Sequence, residues 1–377
     1  MDNSTDYRIC TRCLMDTSDP EIKFDEQGRC NNCTSYLEKA AVRMIPDEKR
    51  DEELQKLVAV IKEKGKNKEY DCIIGVSGGT DSTYVAYKVK ELGLRPLAIH
   101  LDNGWNSELA VKNIEKTLTK LNIELFTHVM DWHEFKDIQL SFLKASTSDM
   151  EIPTDHAINA LLFQQAAKFG VEYIISGSNF NDEGVFPESW AYGHLDWKYV
   201  SGIHKRFGKV SIKTFPYLPL TKLYYYLFAK RIKTVSILNY MHFEKTEARK
   251  LLTEKLDWVD YGGKHNESLY TKFIQEYILP KKFNIDVRKP YYSGPVLRGQ
   301  LTREHALEML QAPIADPKSL QDQKDYVLKK LELTEDDFEK IMNLPVKRHF
   351  EYPSNYNLFL KLRKMINMAR KMGLVHS

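Results

Sequence analysis

Between residues 71 and 176 the chain alternates two textures. The short apolar runs "DCIIGV", "RPLAIHL", "IELFTHVM" and "VEYIIS" read as strands. Between them lie "DSTYVAYKVKELG", "SELAVKNIEKTLTKL", "HEFKDIQLSFLKA" and "DHAINALLFQQAAKFG", whose apolar residues recur at helical spacing; Gly93 closes the first. Such alternation predicts an α/β fold with a parallel sheet covered on both faces. Ligands sit at the carboxyl ends of the strands in such sheets. The segments to watch are therefore 77–82, 102–106, 131–133 and 177–183. Upstream, residues 1 to about 35 are loop-like and carry cysteines, and 34–70, including "DEELQKLVAVIKEKG", read as connecting helices. Beyond about 220 the strand rhythm fades into aromatic and basic helical segments such as "KLYYYLFAKRIK" and "FEKTEARKLLTEKL". The expected division is a cysteine ribbon with linker at 1–48, the α/β domain at 49–220 and a mainly helical region for substrate or partner at 221–377. There is no internal repeat and no low-complexity segment.

At 377 residues the chain can hold two or three domains around a large core, and its 42% hydrophobic content is ordinary. Its net charge of +3 arises from 55 basic and 52 acidic residues, a weak footprint for nucleic acid. No run approaches the roughly 20 apolar residues of a membrane span. The start "MDNSTDYRIC" lacks the charged-then-apolar pattern of a signal peptide, so the expected compartment is the cytoplasm. Cys10, Cys13, Cys30 and Cys33 form C-x2-C, sixteen residues, C-x2-C. That spacing brings four thiolates around one tetrahedral ion, with Zn²⁺ the default and iron the alternative. Four protein ligands leave no open position, so the zinc is expected to be structural.

In "IIGVSGGTDSTYVAY" the apolar run breaks at Ser77-Gly78-Gly79-Thr80-Asp81-Ser82 and resumes as a helix. Backbone amides at a strand-to-helix turn form an anion-binding nest, and glycines let phosphate oxygens approach. Ser77 and Ser82 add hydroxyl donors, and Asp81 either holds Mg²⁺ or caps the helix. The plain alternative is a turn with an Asp N-cap. No GK[ST] follows, so this is not a Walker A loop.

"SGGTDS" resembles the PP-loop of the ATP pyrophosphatases, which cleave ATP between the α and β phosphates and transfer AMP to a substrate oxygen. "AIHLDNG" stands where that family contributes backbone to adenine recognition, and "ISGSNFNDE" (175–183) resembles its acidic metal-binding segment. The resemblance implies an adenine nucleotide alpha hydrolase-like, Rossmann-like domain. It implies ATP contacts at Ser77, Gly78, Gly79, Thr80, Asp81, Ser82, His100, Asp102 and Gly177, and Mg²⁺ at Asp81, Asp182 and Glu183.

"NGWNSELA", "PTDHAINA", "YGGKHNESLYTKFIQEYILPKKFNID" and "SGPVLRGQLTREHAL", with the cysteine pairs, resemble the N-acetyl sugar amidotransferases from Cys10 to about Leu307. These bacterial enzymes convert an acetamido group of a surface-glycan sugar (pseudaminic, legionaminic or diacetamido-uronic acid type) to acetamidino, as in lipopolysaccharide biosynthesis or flagellar glycosylation. Where the family pattern is "DKRxxHLSxLIxSGQ", this chain has "DVRKPYYSGPVLRGQ", and no site is carried over to 289–296. The resemblance implies a separate glutaminase of the imidazole-glycerol-phosphate-synthase type as ammonia source. A homodimer is a further expectation.

The chemistry expected is O-adenylation of the acetamido group, then displacement of AMP by ammonia. For the substrate side the candidates are Lys264, His265 and Glu267, with Asp155 and His156 at a helix start. The competing readings are a solvated helix cap for the first group and a simple N-cap for Asp155. Trp105, Asn106 and Asn179 are the candidate sugar contacts, with a core role for Trp105 as the alternative. Lys281 and Lys282 either reach phosphates or terminate a helix favourably. Sulfur-transferring tRNA-modifying relatives need further reactive cysteines, and only Cys72 remains, inside an apolar strand. The same subtraction leaves no thiolate to hydrolyse glutamine. A non-catalytic ATP sensor is the third reading.

Overall fold

The computed structural model describes residues 7–262 and 267–361, together with Met368. A parallel sheet of five strands forms its centre. The strands are β1 (Cys72–Gly75), β2 (Pro96–Asp102), β3 (Glu124–Val129), β4 (Tyr173–Ser176) and β5 (Lys233–Ser236), in the order β3-β2-β1-β4-β5. Ile74 pairs with Ala98 of β2 on one side and Ile175 of β4 on the other. Helices α1 (Asn31–Arg43) and α2 (Asp47–Gly65) precede the sheet. The connections up to β4 hold α3 (Thr80–Glu91), α4 (Glu108–Leu121), α5 (Trp132–Ala145) and α6 (Ile152–Phe169). Then come α7 (Phe180–Glu183), α8 (Trp197–Phe207), α9 (Leu220–Tyr224) and, after β5, α10 (Lys245–Leu256).

Successive strand residues point to opposite faces, and each face meets its own core. Ile73, Leu97, Ile99 and Ile174 pack with α5 and α6; Cys72, Ile74, Ala98 and Ile175 pack with α2, α3, α4 and α10. Burial on both faces explains why β1, β2 and β4 read as unbroken apolar runs. The helical C-terminal region comprises α11 (Leu269–Phe273), α12 (Leu279–Phe283), α13 (Arg288–Leu297), α14 (Arg303–Gln311), α15 (Pro317–Leu331) and α16 (Glu335–Met342). A π-helical turn, Ile274–Ile278, joins α11 to α12.

Two features differ from the sequence reading. The sheet gains β5 from "KTVS", beyond the point where the strand rhythm fades; as a short edge strand with no fully buried residue it carries no apolar run. Helix α6 starts at Ile152 with Glu151 as its N-cap, so Asp155 lies within the first turn and is not the cap. Among the described residues no helix is long and apolar enough to cross a membrane.

Candidate active site

The strand order reverses direction at β1, which has β2 on one side and β4 on the other. This is the switch point where open α/β sheets bind ligands. The loops after β1 and β4 meet there: a Cβ on Gly177 would stand 3.3 Å from the backbone of Asp81 and Ser82. Gly78 has φ +80°, and a Cβ on it would lie 2.4 Å from the Ala110 carbonyl oxygen, so glycine is required on two counts. Gly79 is the N-cap of α3 and supplies no side-chain cap.

The loop is braced from within and from afar. The Ser77 amide donates to Ser82 Oγ (3.2 Å) and the Gly79 amide to Ser77 Oγ (3.3 Å). Trp258 Nε1 donates to the Gly78 carbonyl (3.0 Å), and the Thr80 amide donates to the Tyr261 hydroxyl (3.0 Å). Asp81 sits in the first turn of α3, with one oxygen 3.7 Å from Lys245 Nζ. Lys245 and Arg249, one turn apart on α10, line a cavity of about 230 Å³ with the loop, Glu183 and Glu267. Two cations beside an uncapped helix start fit a polyphosphate. Carboxylates of Asp81 and Glu183 in the same cavity fit a hard divalent cation such as Mg²⁺. Lys264, His265 and the side chain of Asp182 lie outside the described residues.

A larger chamber of about 570 Å³ adjoins this cavity and shares Ser77, Ser82, Gly177 and Glu267 with it. His100 faces the chamber; Nδ1 lies 2.9 Å from the Val76 carbonyl and Nε2 lies 3.2 Å from Asn106 Nδ2. With Nδ1 donating to the carbonyl, Nε2 is left to accept from the amide. Segment 105–107 is stitched to 267–269: Ser107 N donates to Glu267 O (2.8 Å) and Leu269 N to Trp105 O (2.9 Å). The C-terminal region thereby brings Glu267 up to the loop, with Oε1 3.1 Å from where a Gly79 Cβ would stand.

Four expected contacts are corrected. Trp105 is fully buried, donates to Gln139 Oε1 (2.8 Å) and stacks on Tyr270, so it has no face for a sugar. His156 is fully buried; Nδ1 meets the His194 carbonyl (2.7 Å) and Nε2 accepts from the Leu218 amide (3.0 Å). Burial pushes its pKa down to about 4, so it is a neutral structural histidine. Asp102 Oδ1 accepts from the Gly104 amide (2.9 Å), bracing a turn, and Asp102 does not line the chamber. Asn179 is 2% exposed and lines neither cavity. Lys282 caps the C-terminal end of α16, with Nζ 2.5 Å from the Ile341 carbonyl oxygen and 2.9 Å from that of Met342.

Asp155 does line the chamber, joined there by Asp149 and Glu151, which sequence reasoning missed. Burial, then the neighbouring Asp155, raises the Asp149 pKa well above the ordinary carboxylate range. Burial pushes Glu151 up to about 7, against the opposing hydrogen bond from Thr271 Oγ1 (2.6 Å). Phe186, Trp190, Tyr192 and Tyr291 add aromatic surface. The sequence holds a signal for both missed sets: "DMEIPTD" spaces three acids across a helix start, and Lys245 and Arg249 are four apart on one helix face.

Residues 267–365 match a family model. It is described as the C-terminal domain of an LPS biosynthesis protein, WbpG-like. The matched stretch begins at Glu267 itself, and Thr271, Gln275, Ile285 and Tyr291 from it line the chamber. No individually curated protein matches the chain. Similar solved structures include a predicted subunit of tRNA methyltransferase from Methanocaldococcus jannaschii (18% identity, 48% of this chain and 75% of that one, TM-score 0.27). The NH3-dependent NAD synthetase from Campylobacter jejuni is another (18%, 58% and 90%, TM-score 0.29), as is NMN synthetase from Francisella tularensis (17%, 59% and 90%, TM-score 0.28).

The four cysteines form a separate centre. Their sulfurs lie within 4.8 Å of one another and all four residues are fully buried. Zn–S bonds of about 2.3 Å in a tetrahedron require S–S edges of roughly 3.8 Å; Cys10–Cys33 is 3.7 Å and Cys13–Cys30 is 3.5 Å. Amides of Arg12, Cys13 and Cys30 donate to Cys10 Sγ (3.2–3.4 Å), and Arg12 Nη2 donates to Cys33 Sγ (3.2 Å). Four thiolates with amide donors fit Zn²⁺, which would stabilise the module. The stretch that departs from the amidotransferase pattern docks it: Lys289 pairs with Asp16, and Ser293 Oγ accepts from the Leu14 amide (3.1 Å). Arg303 Nη2 donates to the Cys10 carbonyl (2.7 Å).

Proposed function

We propose that this chain is an ATP-dependent amidotransferase of surface-glycan biosynthesis, converting an acetamido group of a sugar to acetamidino. One observation carries the reading. A glycine loop at the switch point faces two cations on one side and opens on the other into an acid-walled aromatic chamber. The resemblance of "SGGTDS" to the PP-loop and the WbpG-like match over residues 267–365 support it.

An amide carbonyl is a poor electrophile because its nitrogen donates into it. In the proposed reaction the acetamido oxygen attacks the α-phosphorus of ATP and pyrophosphate leaves. Ammonia adds to the resulting O-adenyl imidate and AMP departs, leaving an amidinium. The first-turn amides of α3, Lys245 and Arg249 would take up charge building on pyrophosphate. Asp81 and Glu183 would hold Mg²⁺, which neutralises phosphate charge when bound. Positioning supplies much of the rest. Asp149, Glu151 and Asp155 would ionise beside the amidinium as its counter-charge, and an ionised member offers a base for the proton that ammonia must shed. Glu267 bridges the two halves of the site.

The nucleophile proposed is ammonia, because this chain has no cysteine suited to carry sulfur. Cys72 is fully buried, and burial raises its thiol pKa far above the ordinary value, so it is neither a persulfide carrier nor a glutaminase nucleophile. Ammonia then comes from free ammonium or from a separate glutaminase. The test is mass spectrometry of free and nucleotide-linked acetamido sugars incubated with ATP, Mg²⁺ and ammonium. Replacing O by NH lowers the mass by about one unit, with stoichiometric AMP and pyrophosphate. ATP turnover with no change in any acetamido sugar would refute the reading.

A further inference from the structure

The chamber has two ends. Its loop end is continuous with the phosphate cavity through Ser77, Ser82, Gly177 and Glu267. Its other end abuts a second cavity of about 250 Å³, which shares no lining residue with the phosphate cavity. Six residues line both the chamber and this second cavity: Ser148, Asp149, Trp190, Ala191, Tyr192 and Ile285. The two spaces therefore adjoin along these residues. Ser18 and Pro20 of the cysteine module and residues 346–349 form the outer rim.

We infer that this second cavity is the inlet through which ammonia reaches the chamber. The inference rests on the amidotransferase reading and adds the route of the nucleophile. Adenylation puts AMP, the leaving group, at the loop end, so a nucleophile that enters from the far end meets the activated carbon without crossing the nucleotide.

The polar atoms along the route suit neutral NH3. Trp190 is 4% exposed, and its Nε1 is buried with no hydrogen-bond partner among the described residues. An indole N–H only donates. It can engage the lone pair of NH3, whereas NH4⁺ has no lone pair to offer. His349 Nε2, on the rim side, is likewise buried without a partner, its ring stacked 4.7 Å from that of Tyr192. The charged rim side chains are matched: Lys347 with Glu351 (2.7 Å) and Arg348 with Glu21. Among the described residues the rim therefore has no surplus negative charge to concentrate ammonium. Asp149, which lines both spaces, accepts from the Tyr192 amide (3.1 Å), so its side chain is held where they adjoin.

The test uses the whole chain, ammonium chloride and the acetamido sugar that the parent converts. Ala191 is exposed and lines both spaces, so Ala191→Phe narrows the passage without overfilling the core. The expected result is an ammonium KM raised about tenfold, with the ATP KM and melting temperature unchanged. Trp190→Phe keeps the ring and removes the N–H; its ammonium KM should rise about threefold, and it decides the matter if Ala191→Phe does not fold. Conversion by the parent with the same ammonium KM in the folded variants overturns the inlet and leaves the amidotransferase reading standing. No conversion by the parent of any acetamido sugar overturns both.

Discussion

The cysteine module and the glycine loop are both tight turns that aim backbone amides at a ligand, yet they are completed by opposite means. The module draws its ligands and most of its sulfur-directed amides from residues 10–33. The loop takes key braces from Trp258 and Tyr261, 180 and 181 residues further along. A site made of near neighbours has little core of its own, and a bound ion would supply what holds it. A site assembled from distant elements is built by the fold before any ligand arrives.

The largest effect expected from this contrast is metal removal. Chelation, or Cys30→Ser, should unfold the module and lower the melting temperature by roughly 10 °C or more, since structural zinc binding is also folding free energy. Metal analysis of the parent should give one zinc per chain. A metal-free chain with unchanged melting would mean that docking through Lys289, Ser293 and Arg303 holds the module unaided.

At the loop the outcome should be reversed, with activity lost and the fold kept. Asp81→Ala is expected to slow pyrophosphate release by about a thousandfold or more. Its melting temperature should barely move, because the Asp81–Lys245 pair is 3.7 Å apart and partly exposed, and such pairs add about 0–1 kcal/mol. Unchanged turnover would remove Asp81 from the machinery. A smaller effect should follow from Tyr261→Phe, which deletes the acceptor of the Thr80 amide across 181 residues. A loss of about 1 kcal/mol in denaturant unfolding is expected. No loss would show that the distant brace is dispensable and weaken the contrast.

The same contrast explains what could be read from the sequence. The cysteine cluster was legible because ligand spacing is local and only a few spacings close a tetrahedron. The sheet was legible because strands buried on both faces, such as β1 and β4, leave apolar runs. Edge strand β5, "KTVS", has no such run and was missed. The glycine loop announced itself, but not what surrounds it: nothing local to Gly78 or Thr80 points to Trp258, Tyr261, Lys245 or Arg249. Trp105 and His156 misled for a related reason. Polar-capable rings near a motif look like ligand contacts until the fold places Gln139, Tyr270 and the backbone of residues 194 and 218 around them.

The acid wall offers the smallest and most discriminating effect. The module's four thiolates would have their charge compensated by a Zn²⁺ ion at their centre, whereas Glu151 stands buried with Oε1 lacking a partner among the described residues. Burial pushes its pKa up to about 7 from the ordinary 4.5. Between those two values the folded chain holds a proton that the unfolded chain has released. Stability from this group is therefore fully present below the unfolded value and is lost as pH rises through the folded one. Glu151→Gln removes that dependence. Calorimetry across this interval should show the parent losing a few degrees of melting temperature that the variant keeps. Above pH 7 the variant should be the more stable of the two. Asp149 is raised in the same direction and remains in the variant, so the slope should shrink without vanishing. Identical slopes would mean that Glu151 is solvated in the ligand-free chain, and that the chamber's charge is balanced before any cation enters it.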